Sequence, residues 1–338
     1  MPMTPKELFL ETIKKDGQPD RLCKQWEALG PIMNDPINVF CRGNRQRGKN
    51  TRDRWGTLIM FPEDAPGPMP HAVGEERVVQ DVTEWREHVV VPDLVANCSD
   101  PEAWKPALEL QEQVRAEGML SMGFMGTGIF EQSHFLMGFE DALANLLLEP
   151  EDTKELIDVI GEYRFTYAKL LVDNLHPDAI LSHDDWGSHD NLFFQPEVWR
   201  EFFQDHYKRI YGYMKDNGVI VIHHADSFCQ PIVRDMAELG IDVWQGVLPS
   251  NDIVKIQQEL EGDMVVMGGI DSVIDREDQT EEEIRVETRR ACETYGPGGH
   301  FIPNLTSGLK NAGIFPLTDP TIDDEITRYN KDVYGIEA

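Results

Sequence analysis

Paired cysteines are missing from this chain. Its five cysteines, Cys23, Cys41, Cys98, Cys229 and Cys292, are odd in number and widely spaced, and no Cys-x-x-Cys pair occurs. A disulfide framework and a Cys-rich zinc module are both excluded. The pattern of a leader is not seen either: Met1 to Glu7 shows no charged stretch followed by an apolar one, so none is expected. No apolar run reaches the roughly 18 residues a membrane span needs, so a cytoplasmic, non-membrane protein is expected. Positive charge is scarce as well: 31 Lys and Arg stand against 61 Asp and Glu, a formal charge of −30. Such a polyanion repels nucleic acid and anionic lipid over most of its surface, which leaves small molecules and other proteins as partners. No Gly-x-Gly-x-x-Gly follows a strand-like run, and no phosphate-binding Gly-rich loop with Gly-Lys-Ser/Thr is present.

What is present is alternation. Apolar runs at Met119 to Phe124, Ala179 to Leu181, Val219 to Ile222, Val243 to Val247, Met264 to Met267 and His300 to Pro303 are separated by helical patterns. Asp100-Pro101 starts one helix and Gly118 stops it. Ser250 is the expected cap of another, and Thr280 with Glu283 makes a capping-box signature. Two further strands, near Leu22 to Trp26 and Val89 to Val91, bring the count to eight. The expectation is α/β: one (β/α)8 TIM barrel spanning 1–338, with the Arg-, Gly- and Pro-rich segment 39–70 as an excursion covering one mouth.

In such barrels chemistry sits where strands end. The apolar runs end in His183-Asp184-Asp185, His223-His224-Ala225-Asp226, Gln245, Asp271 and Asn304, with Glu131 and His134 after an earlier strand. Period-two alternation puts His224 and Asp226 on one face, as metal ligands or an acid–base pair. The plainer reading makes His224 a core histidine and Asp226 a cap. Asp184 and Asp185 beside His183 are either catalytic carboxylates or helix caps, and Glu131 with His134 fits one helical face. Arg42, Arg45, Arg47, Lys49, Arg52 and Arg54 form the one dense basic run, either a mobile solvated loop or a strip for an acidic partner, phosphate or carboxylate. The stripe Leu156, Ile160, Tyr163, Tyr167 and Leu170 reads as core packing.

His224-Ala225-Asp226-Ser227, Pro231-Ile232 and Leu239-Gly240-Ile241-Asp242 resemble the H-x-C-G…P-I…G-x-D segment of the uroporphyrinogen decarboxylase superfamily's methyltransferase branch. Asp53-Arg54-Trp55-Gly56, Gly138 to Leu143, Gln195 to Trp199 and Gly268-Gly269-Ile270-Asp271 resemble it too. Within that branch the sequence is most similar to the methyltransferases that open O-demethylation of methoxylated aromatics in anaerobic bacteria. The resemblance implies a (β/α)8 barrel that moves a methyl group between a substrate and the cobalt of a corrinoid carried on a separate protein. The strand-end reading gives His183, Asp184, Asp185, His224 and Asp226 as expected catalytic groups, and Glu27, Glu131, His134, His223, Gln245, Asp271 and Asn304 as expected substrate contacts. A homodimer is left open. No D-x-H-x-x-G cobalamin segment is present, so the chain is expected to carry neither its own corrinoid nor a nicotinamide.

Two departures from the superfamily bear on chemistry. The early R-Q-A-G-R segment of true decarboxylases is replaced by Leu22-Cys23-Lys24-Gln25-Trp26-Glu27, which disfavours porphyrinogen decarboxylation. Asp226 stands where thiol-methylating members place a zinc-binding Cys, and Pro303-Asn304-Leu305-Thr306 supplies no second one. Harder ligands suit an oxygen substrate, hence an ether. Either zinc held by His224 and Asp226, with His183 in support, or a proton donor at those positions neutralises the departing aryl oxide. The alternatives are transfer from methylcorrinoid to a thiol or folate, a decarboxylase, and a silent barrel that only escorts the corrinoid protein.

Overall fold

The computed structural model describes residues 1–43, 45–63, 65, 67–306 and 315–336. A curled, wholly parallel sheet of seven strands forms its centre, wrapped by helices in a TIM-barrel-like arrangement. The strands run β1 (Leu29–Ile32), β2 (Leu120–Met125), β3 (Ala179–His183), β4 (Ile220–His224), β5 (Val243–Val247), β6 (Val265–Ile270) and β7 (Phe301–Leu305), each paired with the next in that order. Six of them fall on the apolar runs that the sequence marks.

Two expected strands are not formed. Val89 to Val91 is an exposed connection between short helices, with Val90 75% exposed, so it has no neighbour to bury it. Leu22 to Trp26 is not a strand because Gln25 sits at φ +32, which no ladder accepts. This segment lies beside β7 instead: the Gln25 N–H donates to the Pro303 carbonyl at 3.3 Å, and Gln25 Oε1 accepts from the Leu305 N–H at 3.2 Å. The strand begins further on, at Leu29. The helix expected from Ser250 is instead capped by Asp252, whose carboxylate accepts from the Lys255 N–H.

Strand alternation divides the apolar residues into two cores. Leu29, Leu120, Met122, Ala179, Leu181, Ile222, Val243, Val265, Met267 and Ile302 fill the inside of the curled sheet, with Leu8 and Phe9 packed into the same cluster. Ile180, Val221, Trp244 and Val266 face outward against the helices. Polar residues continue the inner rows at the carboxyl ends, because His183 follows Leu181, His224 follows Ile222, Gln245 follows Val243 and Asn304 follows Ile302 at two-residue spacing. In register His183 lies opposite His224, and His224 opposite Gln245.

Three helices on the outer layer bear on the site: α1 (Ile129–Met137), α2 (Pro150–Leu175) and α3 (Asp205–Asp216). Segment 39–70 contributes a short helix (Pro36–Arg42) and a three-stranded antiparallel sheet of Thr51–Arg52, Leu58–Met60 and Met69–Pro70.

Candidate active site

At the carboxyl end of the sheet the His183 and His224 rings stack, with centroids 4.5 Å apart and planes 20° apart. Ligating atoms of His183, Asp185 and His224 all lie within 4.8 Å of one another. His183 Nδ1 bonds Glu131 Oε2 at 2.7 Å, and His224 Nδ1 bonds the Gln245 side-chain oxygen. The Gln245 amide continues to Asn304 at 2.9 Å, so the buried polar row is linked from β4 to β7. With Nδ1 of each histidine turned away, Nε2 of each is left to meet a ligand.

The charges are set by burial and by close partners. Burial alone would push His183 toward neutrality and Glu131 toward protonation; each group's charge overrides that for the other, so His183 is raised and Glu131 lowered from their ordinary values. His224 is pushed down to about 4 by burial and then by the His183 charge, and is neutral at pH 7. Burial raises Asp185 to about 7, against the His183 charge, and burial with the Asp185 charge raises Asp226 to about 6. A cationic and a neutral imidazole thus stand side by side, next to a carboxyl group poised near neutrality.

The ion pair makes a prediction for metal-free protein. Glu131 is depressed, so its stabilisation is present above the ordinary carboxylate pKa and fades as pH falls through the folded value. His183 is raised, so its contribution is complete below the ordinary imidazole pKa and fades as pH rises through the folded value. Both act fully only between those two ordinary values. In Glu131→Gln, NMR titration of the His183 ring should show its pKa falling from the parent's raised value, because burial is then opposed only by the Asp185 and Asp184 charges. A pKa unchanged by the substitution would contradict the pairing.

Several expected site residues lie elsewhere. Asp184 is fully buried and saturated: it accepts from the Phe130 and Glu131 N–H groups at 3.1 and 3.0 Å, from Trp186 Nε1 at 2.9 Å and from the Tyr207 hydroxyl at 2.5 Å. It anchors the first turn of α1 from outside the helix, and a Cβ at Gly128 would run into its carboxyl group. Its place is structural rather than catalytic. His223 points outward, as period two requires of the neighbour of His224. It stacks on Trp186 at 4.0 Å and bonds the Tyr211 hydroxyl at 2.8 Å.

Glu27 lies before β1, at the opposite end of the sheet from the histidines, where it accepts from the Lys24 N–H at 2.8 Å. Asp271 caps the turn Ser272–Ile274 through the Val273 N–H. His134 packs against the rings of Phe130, Phe135 and Phe139, and burial lowers it to about 4. None of these three lines the cavity described next. Asp226 falls outside the metal-competent group and is replaced there by Asp185: the strand ends at His224, so alternation no longer governs two residues later, and the Asp226 N–H rests on Asp185 at 3.1 Å.

A cavity of about 280 Å³ opens beside His183 and Glu131. Segment 39–70 walls it with Cys41, Arg42, Arg45, Asp53, Trp55 and Ile59. Phe124, Thr127, Gln132 and Phe135 form another side, and Ile160, Tyr163, Arg164 and Tyr167 of α2 the third. The tyrosines of the helix stripe read as core packing therefore also face a ligand space, and Gln132 and Arg164 carry no local signal in the sequence. Thr127, at φ +52, holds the turn after β2 in the left-handed region that β-branched residues avoid.

A borderline cation such as zinc fits the donor set. Two imidazoles and a carboxylate are suitable ligands, and the Glu131–His183 and Gln245–His224 bonds provide the outer partners that orient ligating histidines. Cys41 is not part of that set; it bonds the Tyr163 hydroxyl at 2.8 Å, and burial pushes its thiol up to about 12.

The profile of the uroporphyrinogen decarboxylase (URO-D) family matches residues 84–321. A solved methyltransferase from Methanosarcina mazei superposes with a TM-score of 0.67 at 16% identity, covering 97% of this chain and 99% of its own. At that identity the likeness is one of fold. No curated protein matches the sequence. Among the described residues no helix is long and apolar enough to cross a membrane.

Proposed function

The chain belongs to the uroporphyrinogen decarboxylase family, and from that premise we propose that it is a methyltransferase that takes the methyl group of a methoxylated aromatic and delivers it to the Co(I) of a separate corrinoid protein. The observation that carries this reading is the His183, Asp185 and His224 group, a thiol-free set at the inner strand ends beside an aromatic-walled cavity. The methyltransferase fold of the Methanosarcina mazei protein supports it.

Co(I) attacks the methyl carbon, the carbon–oxygen bond breaks, and its electron pair leaves with the aryl oxide. The conjugate phenol has a pKa of about 10, as tyrosine has, so the oxygen must be neutralised as it departs. His183, charged through its pairing with Glu131, and Asp185, near neutrality, are placed to hold a proton against that oxygen. Were zinc bound instead, His183, Asp185 and His224 would hold it in place of those protons, and it would supply Lewis acidity toward the same atom. Trp55, Tyr163, Tyr167 and Phe135 offer ring faces and edges to the aromatic substrate and exclude water from the departing oxide.

The test is the visible spectrum of a Co(I) corrinoid protein mixed with this chain and a methyl donor. Aryl methyl ethers should convert Co(I) to methyl-Co(III) with one phenol released per methyl group. Methyl thioethers should not. Conversion by thioethers alone would overturn the ether assignment.

A further inference from the structure

The basic run of segment 39–70 divides into two sets. Arg47 donates to the Glu63 and Ala65 carbonyls and stacks on Phe61; Arg52 pairs with Glu76 at 2.5 Å; Arg54 donates to the Phe40 carbonyl and lies over its ring. Lys49 donates to Gln46. These four side chains make contacts within the segment and its flank.

Arg42 and Arg45 do something else. Both line the cavity, and among the described residues neither forms an ion pair. Arg42 lies 5.7 Å from the centre of the Phe124 ring on the cavity wall. Arg45 uses Nε on the Arg42 carbonyl at 3.1 Å, and among the described residues its terminal nitrogens have no hydrogen-bond partner, although the Asp53 charge acts on it. Asp53 faces the same space, but its carboxylate accepts the Trp55 and Thr57 N–H groups at 2.9 Å each and shapes its own turn. On the next wall Gln132 is 4% exposed, and its buried Nε2 has no hydrogen-bond partner. Arg164, 1% exposed, donates only to the Met125 and Gly126 carbonyls and the Ser182 hydroxyl, so a further buried cation adjoins the cavity without a carboxylate of its own.

The buried Gln132 amide donor is costly to leave without an acceptor, and the half-buried Arg42 and Arg45 beside it offer further donors to whatever acceptor oxygens enter. On a chain of formal charge −30, a cavity whose described lining sets Arg42, Arg45 and Arg164 against Asp53 and Glu131 is also a local reversal of sign. A planar carboxylate fits such donors, because each of its oxygens can take two of them.

We infer that Arg42, Arg45 and the Gln132 amide form a carboxylate subsite, and that the substrate is an aromatic acid whose carboxylate lies under segment 39–70 while its ether reaches His183. The ether half of that statement rests on the methyltransferase reading; the carboxylate half rests on the cavity alone.

Calorimetric titration of the full chain with the three methoxybenzoate isomers and the three matching methoxybenzamides separates the two. At least one benzoate should bind 10-fold or more tighter than its amide. Arg42→Gln and Arg45→Gln should each weaken that benzoate by roughly 10-fold and leave the amide unchanged, as expected for loss of a charge-assisted bond. Gln132→Met should weaken benzoate binding without lowering the melting temperature of the ligand-free chain, since the amide nitrogen it removes has no partner there. Equal binding of every acid and its amide, or a preference that survives in a folded Arg42→Gln, Arg45→Gln double variant, would overturn the subsite. Acid-selective binding without any Co(I) methylation would remove the methyltransferase reading and leave the subsite standing. Methylation of Co(I) from acid and amide with equal kcat/KM would do the reverse.

Discussion

Replacing His224 by alanine is expected to lower methyl transfer from an aryl ether by roughly 100-fold or more and to leave the protein folded. The ring is a member of the cation-competent group and stacks on His183, so its loss removes what steadies the oxygen as charge develops there. The fold should lose only about 1–2 kcal/mol, the usual cost of a buried acceptor deprived of its donor, because the Gln245 amide keeps Asn304. Leaving groups discriminate further. Nitro-substituted methoxybenzenes, whose oxides need less neutralisation, should be rescued preferentially, and uniform loss across leaving groups would point to a binding role. An unfolded His224→Ala variant would support the core-histidine reading instead.

The neighbouring aspartates should show opposite phenotypes. Asp184→Asn is expected to cost roughly 3–5 kcal/mol, because an amide nitrogen would face donors where four now converge and buried N–H and O–H groups would be stranded. The carboxyl of Asp184 is pushed up to about 6 by burial and by the Glu131 charge, and so is still ionised at pH 7, as those four donors require. Asp185→Asn removes a carboxylate whose ionisation burial already opposes. Its stability should therefore stay within about 1 kcal/mol of the parent, while methyl transfer falls by roughly 100-fold. Urea midpoints and turnover on both variants check the pair; a stable, inactive Asp184→Asn protein would reverse the assignment.

The contrast shows what the sequence could tell. His183, His224, Gln245 and Asn304 were legible because each sits two residues beyond an inward-facing apolar residue, and alternation carries a side chain's direction to the last residue of a strand. One residue further the rule fails, so Asp184, Asp185 and Asp226 could not be sorted by spacing. The direction of Asp184 goes with α1, whose first turn it holds from 53 and 54 residues away in sequence, while Asp185 takes the Asp226 N–H. His223 was assigned inward against the same alternation that places its neighbour. The early strand starts later than expected for a local reason, the positive φ of Gln25, and that conformation goes with contacts to β7 nearly 280 residues later; the eighth stave, Val89 to Val91, has no neighbour to bury it. Arg164 and Gln132 sit on helices among apolar neighbours, where only tertiary structure shows that they face a cavity.

The central claim is that His183, Asp185 and His224 act as one site on an ether oxygen. Single-turnover methylation of a Co(I) corrinoid protein by a methoxybenzoate, followed in the visible spectrum on preparations of known metal content, tests it most directly. The account predicts that the parent chain consumes Co(I) and releases an equal amount of phenol, and that His183→Ala, Asp185→Asn and His224→Ala each slow this step by a similar, large factor. If one of these variants, correctly folded, methylates Co(I) at the parent rate, that side chain is not part of the site.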